Sequence, residues 1–188
     1  MKFRKPKTSD LVFVVIIALL IIPQTRQPIQ IALHSVLSKF SPSVIEKDDQ
    51  KEVTYTFWKL RDLSGKEINY NETKGKVVFV NLWATWCPPC IAEFDGIQSL
   101  YNDYGDKVEF LLVSDESPET IQKFLDKKGY NVPIFNPLTN YPEDFQARSI
   151  PKTYIIDKEG RIVVDKNGAA NWNSDKIRNE LDELLKGS

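Results

Sequence analysis

Apolar and polar positions change their spacing from one stretch of the chain to the next. Residues 11–22 are twelve consecutive apolar residues behind a basic head and in front of Pro23. A helix needs roughly 17 to 25 residues to span a bilayer, whereas runs of about 10 to 14 suit signal-peptide cores. Two readings compete: a cleaved signal peptide, or an uncleaved signal anchor whose short span is covered by polar end residues and a thinned bilayer. Residues 23–28 supply no A-x-A-like cleavage site and no cysteine for a lipid, which favours the anchor. Lys2, Arg4, Lys5 and Lys7 stand before the run against Asp10 alone, so residues 1–10 form a cytoplasmic tail and everything after the run is delivered outside. A buried core helix fits poorly, because the run is apolar on every face.

Between positions 29 and 40, Ile29, Leu33, Val36, Leu37 and Phe40 recur at helical spacing. This predicts a juxtamembrane amphipathic helix that lies along the membrane surface or serves only as a spacer. His34 within it reads as solvated or interfacial rather than catalytic. Residues 41–52 are mostly polar and read as a linker, so residues 23–53 join the anchor to a domain at 54–188.

That domain opens with a hairpin, strand 55–60 turning through 62–66 into 67–70. Residues 77–82 are almost continuously apolar and predict a strand covered on both faces. Ile91, Phe94, Ile97, Leu100 and Tyr101 mark a helix that Gly105 ends. Residues 108–113 form a second buried strand. Ser117, Pro118 and Glu119 start a helix, as N-cap, first-turn proline and first-turn acid. Its core face is Ile121, Phe124 and Leu125, and Gly129 closes it. Residues 132–135 are a short strand in which Pro133 marks an edge or the first residues. Strands 153–156 and 161–164 join through a tight turn, and a last helix from Ser174 buries Ile177, Leu181, Leu184 and Leu185. This order predicts an α/β domain with a mixed central sheet and helices on both faces.

A chain of 188 residues, 41% hydrophobic, holds one domain plus an appendage. Its formal charge is −1 and, with four basic residues against one acid in the first ten, the rest is mildly acidic, so nothing points to a nucleic-acid binder. The two cysteines, Cys87 and Cys90, sit in Trp-Cys-Pro-Pro-Cys just after the predicted central strand. A bridge between them closes almost no loop and cannot brace a fold. Structural zinc wants four ligands, and two Cys with one His do not supply them, so no metal is expected. Their use is therefore chemical. A helix N-terminus at Cys87 stabilises a thiolate against the ordinary thiol pKa of about 8.5. Pro88 and Pro89 cost little in the first turn and stiffen the loop. Cys90 lies one turn on, so the sulfurs can bridge and exchange: Cys87 attacks a disulfide and Cys90 resolves the mixed disulfide. Trp86 shields this site or, like Trp83, packs in the core, and Trp83 reads mainly as core packing.

Residues 80–90, Val-Asn-Leu-Trp-Ala-Thr-Trp-Cys-Pro-Pro-Cys, resemble the active-site segment of thioredoxin-fold proteins. With the tethered N-terminus and a later Ile-Pro ahead of a strand, the chain from about Thr54 to Leu185 is similar to the membrane-anchored TlpA/ResA-like (DsbE/CcmG-like) thiol-disulfide oxidoreductases. The resemblance implies a thioredoxin fold with an N-terminal hairpin and a helix-strand insertion between Ser117 and Phe135. It implies that Pro151 is a cis-proline beside the cysteines, with Ile150 presenting its backbone to substrate; the plainer reading is a trans proline opening a strand. Thioredoxin has a buried Asp where this chain has Asn81, which cannot titrate. ResA-like proteins carry a Glu three residues after the second cysteine, and Glu93 matches it. By that resemblance Glu93 sets the thiol pKa values and takes the proton of Cys90; the competing reading is a first-turn acid placed for the helix dipole.

The protein so implied is a monomeric, single-pass reductase of protein disulfides on the extracytoplasmic side of the cytoplasmic membrane. It uses no cofactor beyond the Cys87–Cys90 disulfide and draws electrons from a membrane thiol carrier of the DsbD/CcdA type. The cysteines of apocytochrome c are one substrate in view. A peroxiredoxin-like peroxide reductase is the second enzyme reading, but those sites resemble T-x-x-C and Thr85 stands only two residues before Cys87. A non-catalytic module that binds partners through the Ile150-Pro151 groove is the third, and the intact cysteine pair argues against it.

Overall fold

The computed structural model describes residues 7–22, 25, 28–33 and 40–187. The basic residues Lys2, Arg4 and Lys5, the residue Pro23, and His34, Val36 and Leu37 lie outside the described residues. Helix α1 (Thr8–Ile21) takes up most of the apolar run, and its 14 residues rise only about 21 Å at the usual pitch. Among the described residues no helix is long and apolar enough to cross a membrane. Val12, Phe13, Val14, Val15, Ile17 and Leu19 of α1 are exposed.

Seven strands form one sheet: β1 (Lys59–Asp62), β2 (Glu67–Asn69), β3 (Val78–Leu82), β4 (Glu109–Val113), β5 (Ile134–Pro137), β6 (Lys152–Ile156) and β7 (Ile162–Asn167). Their spatial order is β2-β1-β5-β4-β3-β6-β7. β3 is parallel to β4 and antiparallel to β6, and β4 is parallel to β5, so the sheet is mixed as expected. All five residues of β3 are buried. Pro133 precedes β5, whose two neighbours β4 and β1 make it an interior strand rather than an edge.

Three helices follow the strands: α2 (Pro88–Tyr104), α3 (Pro118–Lys128) and α4 (Asp175–Lys186). Each begins on an N-cap, Cys87, Ser117 and Ser174 respectively, whose side chain accepts a backbone N–H, from Cys90, Thr120 and Ile177 in turn. Gly129 ends α3 in the left-handed region, φ 71°. Gly105 ends α2 for a different reason: its φ is −65°, and a Cβ there would lie 2.6 Å from the Tyr101 ring.

Side chains alternate across β3, so Phe79 and Asn81 face one side and Val78, Val80 and Leu82 the other. Phe79 joins a core with Phe94, Ile97 and Leu100 of α2, Ile121 and Leu125 of α3, and Ile177 and Leu181 of α4. The expected helices on both faces are thus gathered on one. Right-handed crossovers β3–α2–β4 and β4–α3–β5 step in the same direction across the sheet and place both helices on the same side. The opposite core, Val78, Val80 and Leu82 with Trp58, Tyr70 and Phe145, takes no side chain from α2, α3 or α4. Two short 3-10 turns, Tyr70–Thr73 and Glu143–Phe145, supply Tyr70 and Phe145 to it.

The stretch read as a polar linker is also docked. The Ile45 amide donates to the Val163 carbonyl, the Ile162 amide to Lys51, and the Val53 amide to Gly160, each at 2.8 Å. Val44 and Val53 sink their side chains into the two cores, so ordered packing begins well before Thr54.

Candidate active site

The site grows from the C-terminal end of β3. Trp83 and Ala84 finish the buried run, and the chain then turns so that Cys87 caps α2 with Pro88 and Pro89 in its first turn. Cys87 and Cys90 form a disulfide with S–S 2.11 Å and Cα–Cα 5.2 Å. Cys87 Sγ also accepts the Cys90 amide at 3.3 Å. That amide has no helical partner at this position, so the cap that starts the helix is the sulfur itself. Both cysteines are buried, Cys87 at 3% exposure.

Across from them the Ile150–Pro151 peptide bond is cis. Cys87 Sγ lies 3.7 Å from the Ile150 carbonyl oxygen. In the disulfide that sulfur carries no proton, and a Cys87 thiol would find an acceptor there. Ile150 is half-buried between the two cores. Trp83 is core, with its ring 4.5 Å from Phe94. Trp86 is 66% exposed and stands beside the disulfide at the rim of a groove of about 350 Å³. Leu82, Val113 and Phe145 line that groove, and Glu116 and Tyr141 edge it.

Glu93 is 2% exposed and sits in the second turn of α2, which has no acid in its first turn. A carboxylate placed for the helix dipole would be at the open end of the helix, so that reading does not apply. Asn81 Nδ2 donates to Glu93 Oε1 at 3.0 Å and to Thr153 Oγ1 at 2.8 Å. Glu93 Oε2 accepts the Ala170 amide at 3.2 Å and the Trp172 indole N–H at 2.8 Å. Burial pushes the Glu93 carboxyl up to about 8; the donors Trp172, Asn81 and Ala170, and the Lys166 charge, pull the other way. Desolvation outweighs them because the whole carboxyl lies in the apolar core.

Sequence reasoning placed Asn81, Trp86, Cys87, Pro88, Pro89, Cys90, Glu93, Ile150 and Pro151 near one another, and the fold gathers them at one end of β3. It missed Thr153, whose meeting with Asn81 depends on strand register, and Ala170 and Trp172, whose meeting with Glu93 depends on the loop after β7. It also missed Glu116. The Thr85 amide donates to Glu116 Oε2 at 2.6 Å and the Thr85 hydroxyl to Oε1 at 2.7 Å, tying the cysteine loop to the start of α3. The run Ser114-Asp115-Glu116-Ser117, polar between strand and helix, was the available signal.

A dithiol-disulfide pair at a strand-to-helix junction, faced by a cis X-Pro bond on this sheet, defines a thioredoxin-like redox protein. Residues 53–165 match the AhpC/TSA family, and the chain belongs to that family. It is 35% identical over 130 residues to the thiol-disulfide oxidoreductase ResA of Halalkalibacterium halodurans, covering 68% of this chain and 72% of that one. A Bacteroides vulgatus crystal structure assigned to the thiol-disulfide oxidoreductases superposes with TM-score 0.57 at 29% identity, over 69% of this chain and 93% of that one. A secreted thiol-disulfide isomerase of Corynebacterium glutamicum shares the fold, with TM-score 0.57 at 21% identity over 77% and 89% of the two chains.

Proposed function

We propose that this thiol-disulfide oxidoreductase is anchored by its N-terminal segment and works as a reductase of protein disulfides outside the cytoplasm. The observation that carries the reading is Cys87 at the N-cap of α2, with Cys90 buried one turn behind it and the cis Ile150–Pro151 bond against its sulfur. The exposed apolar side chains of α1 behind a basic head support the anchor.

In the reduced protein the Cys87 thiolate, favoured by the helix N-terminus, attacks a substrate disulfide. A Cys87–substrate bond forms and the first substrate sulfur leaves as a thiolate that takes up a proton. Cys90 then gives its proton to Glu93 in its ionised form, attacks Cys87 Sγ, and expels the second substrate thiolate. The substrate gains two electrons and the Cys87–Cys90 disulfide is the product. A membrane thiol carrier of the DsbD/CcdA type restores the dithiol. Ile150 offers its backbone to the substrate strand and Trp86 covers the sulfurs. The cysteines of apocytochrome c are the substrate class that the ResA-like resemblance suggests. Peroxide reduction has less support: Thr85 is two residues from Cys87 and its hydroxyl is bound to Glu116.

Cys90→Ala tests the cycle. It should accumulate mixed disulfides at Cys87 with extracytoplasmic proteins, and reduction should release them; absence of any trapped protein would refute the reading. The potential of the Cys87/Cys90 pair decides direction, a value below about −200 mV marking a reductase against an oxidising exterior.

A further inference from the structure

Four tryptophans occur in the chain, and three of them, Trp58, Trp83 and Trp172, are buried. The indole N–H groups of Trp58 and Trp83 have no partner among the described residues. Trp172 alone of the three is paired, and its acceptor is Glu93 Oε2 at 2.8 Å. The pairing is a property of the Glu93 site rather than a general need of core tryptophans.

The loop that carries Trp172 is placed by packing that does not involve Glu93. The Trp172 ring meets Phe79 of β3 edge-on, with centroids 5.2 Å apart. The Trp172 and Asn173 amides pass Gly96, one turn after Glu93 on α2, at 3.7 and 3.6 Å from the position of a Cβ. From this fixed loop come two of the three donors to the carboxylate, Ala170 N and Trp172 Nε1. All three are N–H groups that cannot accept a proton, so each of these bonds favours the ionised carboxylate, against the burial that favours the neutral acid. The charge that acts on Glu93 is Lys166 on β7, while Cys90 on its own helix and the N-cap Cys87 are joined in the disulfide and do not titrate. β3 and β6 contribute only Asn81 and Thr153, and residues 168–173 contribute none.

We propose that Trp172 is a positioning residue of the redox site: its indole N–H holds the Glu93 carboxylate in place and strengthens it as an acid. The consequence for catalysis rests on the proposed role of Glu93 toward Cys90; the effect on Glu93 itself does not. A charge-assisted hydrogen bond to a buried carboxylate corresponds to roughly a tenfold or larger change in acidity.

The test is Trp172→Phe in the full chain in detergent, which keeps an aromatic ring against Phe79 and removes the donor. With the protein oxidised and its glutamates labelled at the side-chain carboxyl carbon, the NMR titration of Glu93 should move up by about one pH unit or more. Trp58→Phe, which removes an indole with no partner among the described residues, should leave that midpoint unchanged. An unmoved Glu93 midpoint in Trp172→Phe, or an equal shift in Trp58→Phe, overturns the proposal. The pH profile of mixed-disulfide resolution by Cys90 should rise with the Glu93 midpoint. A moved midpoint with an unmoved profile upholds the positioning of Glu93 by Trp172 and refutes Glu93 as the proton acceptor. Should Trp172→Phe not fold, the native Trp172 Nε1–H resonance should titrate with the Glu93 midpoint and stop doing so in Glu93→Gln; an indole resonance that ignores Glu93 overturns the proposal.

Discussion

Replacing Glu93 by Gln gives the sharpest test of how the core handles its buried acid. The carboxyl is pushed up to about 8 by burial in the native state and returns to its ordinary 4.5 when the chain unfolds. Between those values the native state keeps a proton that the unfolded chain has released. Unfolding free energy therefore falls as pH rises, by at most about 1.4 kcal/mol per pH unit and about 5 kcal/mol across the window. This contribution is complete below the unfolded value and gone once pH passes the folded one. The glutamine side chain of the variant does not titrate, and other groups cancel when the two proteins are compared. The comparison uses the disulfide form, in which the cysteines do not titrate. Urea unfolding followed by tryptophan fluorescence at about pH 5, 6.5 and 8 should show stability shifting in favour of the Gln variant by several kcal/mol as pH rises. A difference between the proteins that stays constant within about 0.5 kcal/mol would refute the reasoning. It would mean that Asn81, Ala170 and Trp172 together outweigh desolvation and that Glu93 is ionised throughout.

Two further substitutions probe the frame around the site. Glu116→Ala strips the partner from both the amide and the hydroxyl of Thr85; about 1 to 3 kcal/mol of stability should be lost. The exposed Trp86 should also show lower fluorescence anisotropy, and an unchanged urea midpoint would count against the clamp. Gly96→Ala places a methyl at 3.6 Å from the Asn173 amide, an ordinary contact within α2. It should raise stability by about 0.5 to 1 kcal/mol through helix propensity; a lowered thermal midpoint would show that the loop carrying Trp172 has no slack.

What was legible in the sequence was local. The apolar run of β3, the prolines behind Cys87 and the Ser-Pro start of α3 each specify their element within a few residues. The side on which α2 and α3 pack was not local, because it depends on the strand order that the crossovers build. The docking of residues 44–53 was hidden for a related reason. Val44, with Ile45, and Val53 stand at the two ends of an otherwise polar stretch, and the backbone there bonds to the β6-β7 hairpin more than a hundred residues later. The cysteine pair was readable because one helical turn joins its members. Thr153 and Trp172 were not, since 72 and 79 residues separate them from their partners Asn81 and Glu93.

The substitution of Asn for the buried strand acid of thioredoxin acquires a physical reason from that network. An Asp at position 81 would put a second carboxyl where Asn81 Nδ2 now lies, 3.0 Å from Glu93 Oε1. Two carboxyls that close in an apolar core cannot both ionise, so one would hold its proton and the pair would titrate together. Asn81 instead supplies two donors, one to Glu93 and one to Thr153, two residues beyond the cis-proline on β6. Glu93 is then the one acid in this network, on the same helix as Cys90 and one turn beyond it. The strand that leads into the cysteines, the helix that carries them and the strand that follows Pro151 are joined through one amide side chain. Its Oδ1 remains buried without a partner among the described residues, a cost of about 1 to 3 kcal/mol. The fold bears that cost at the point where the proposed mechanism needs one proton acceptor and no second negative charge.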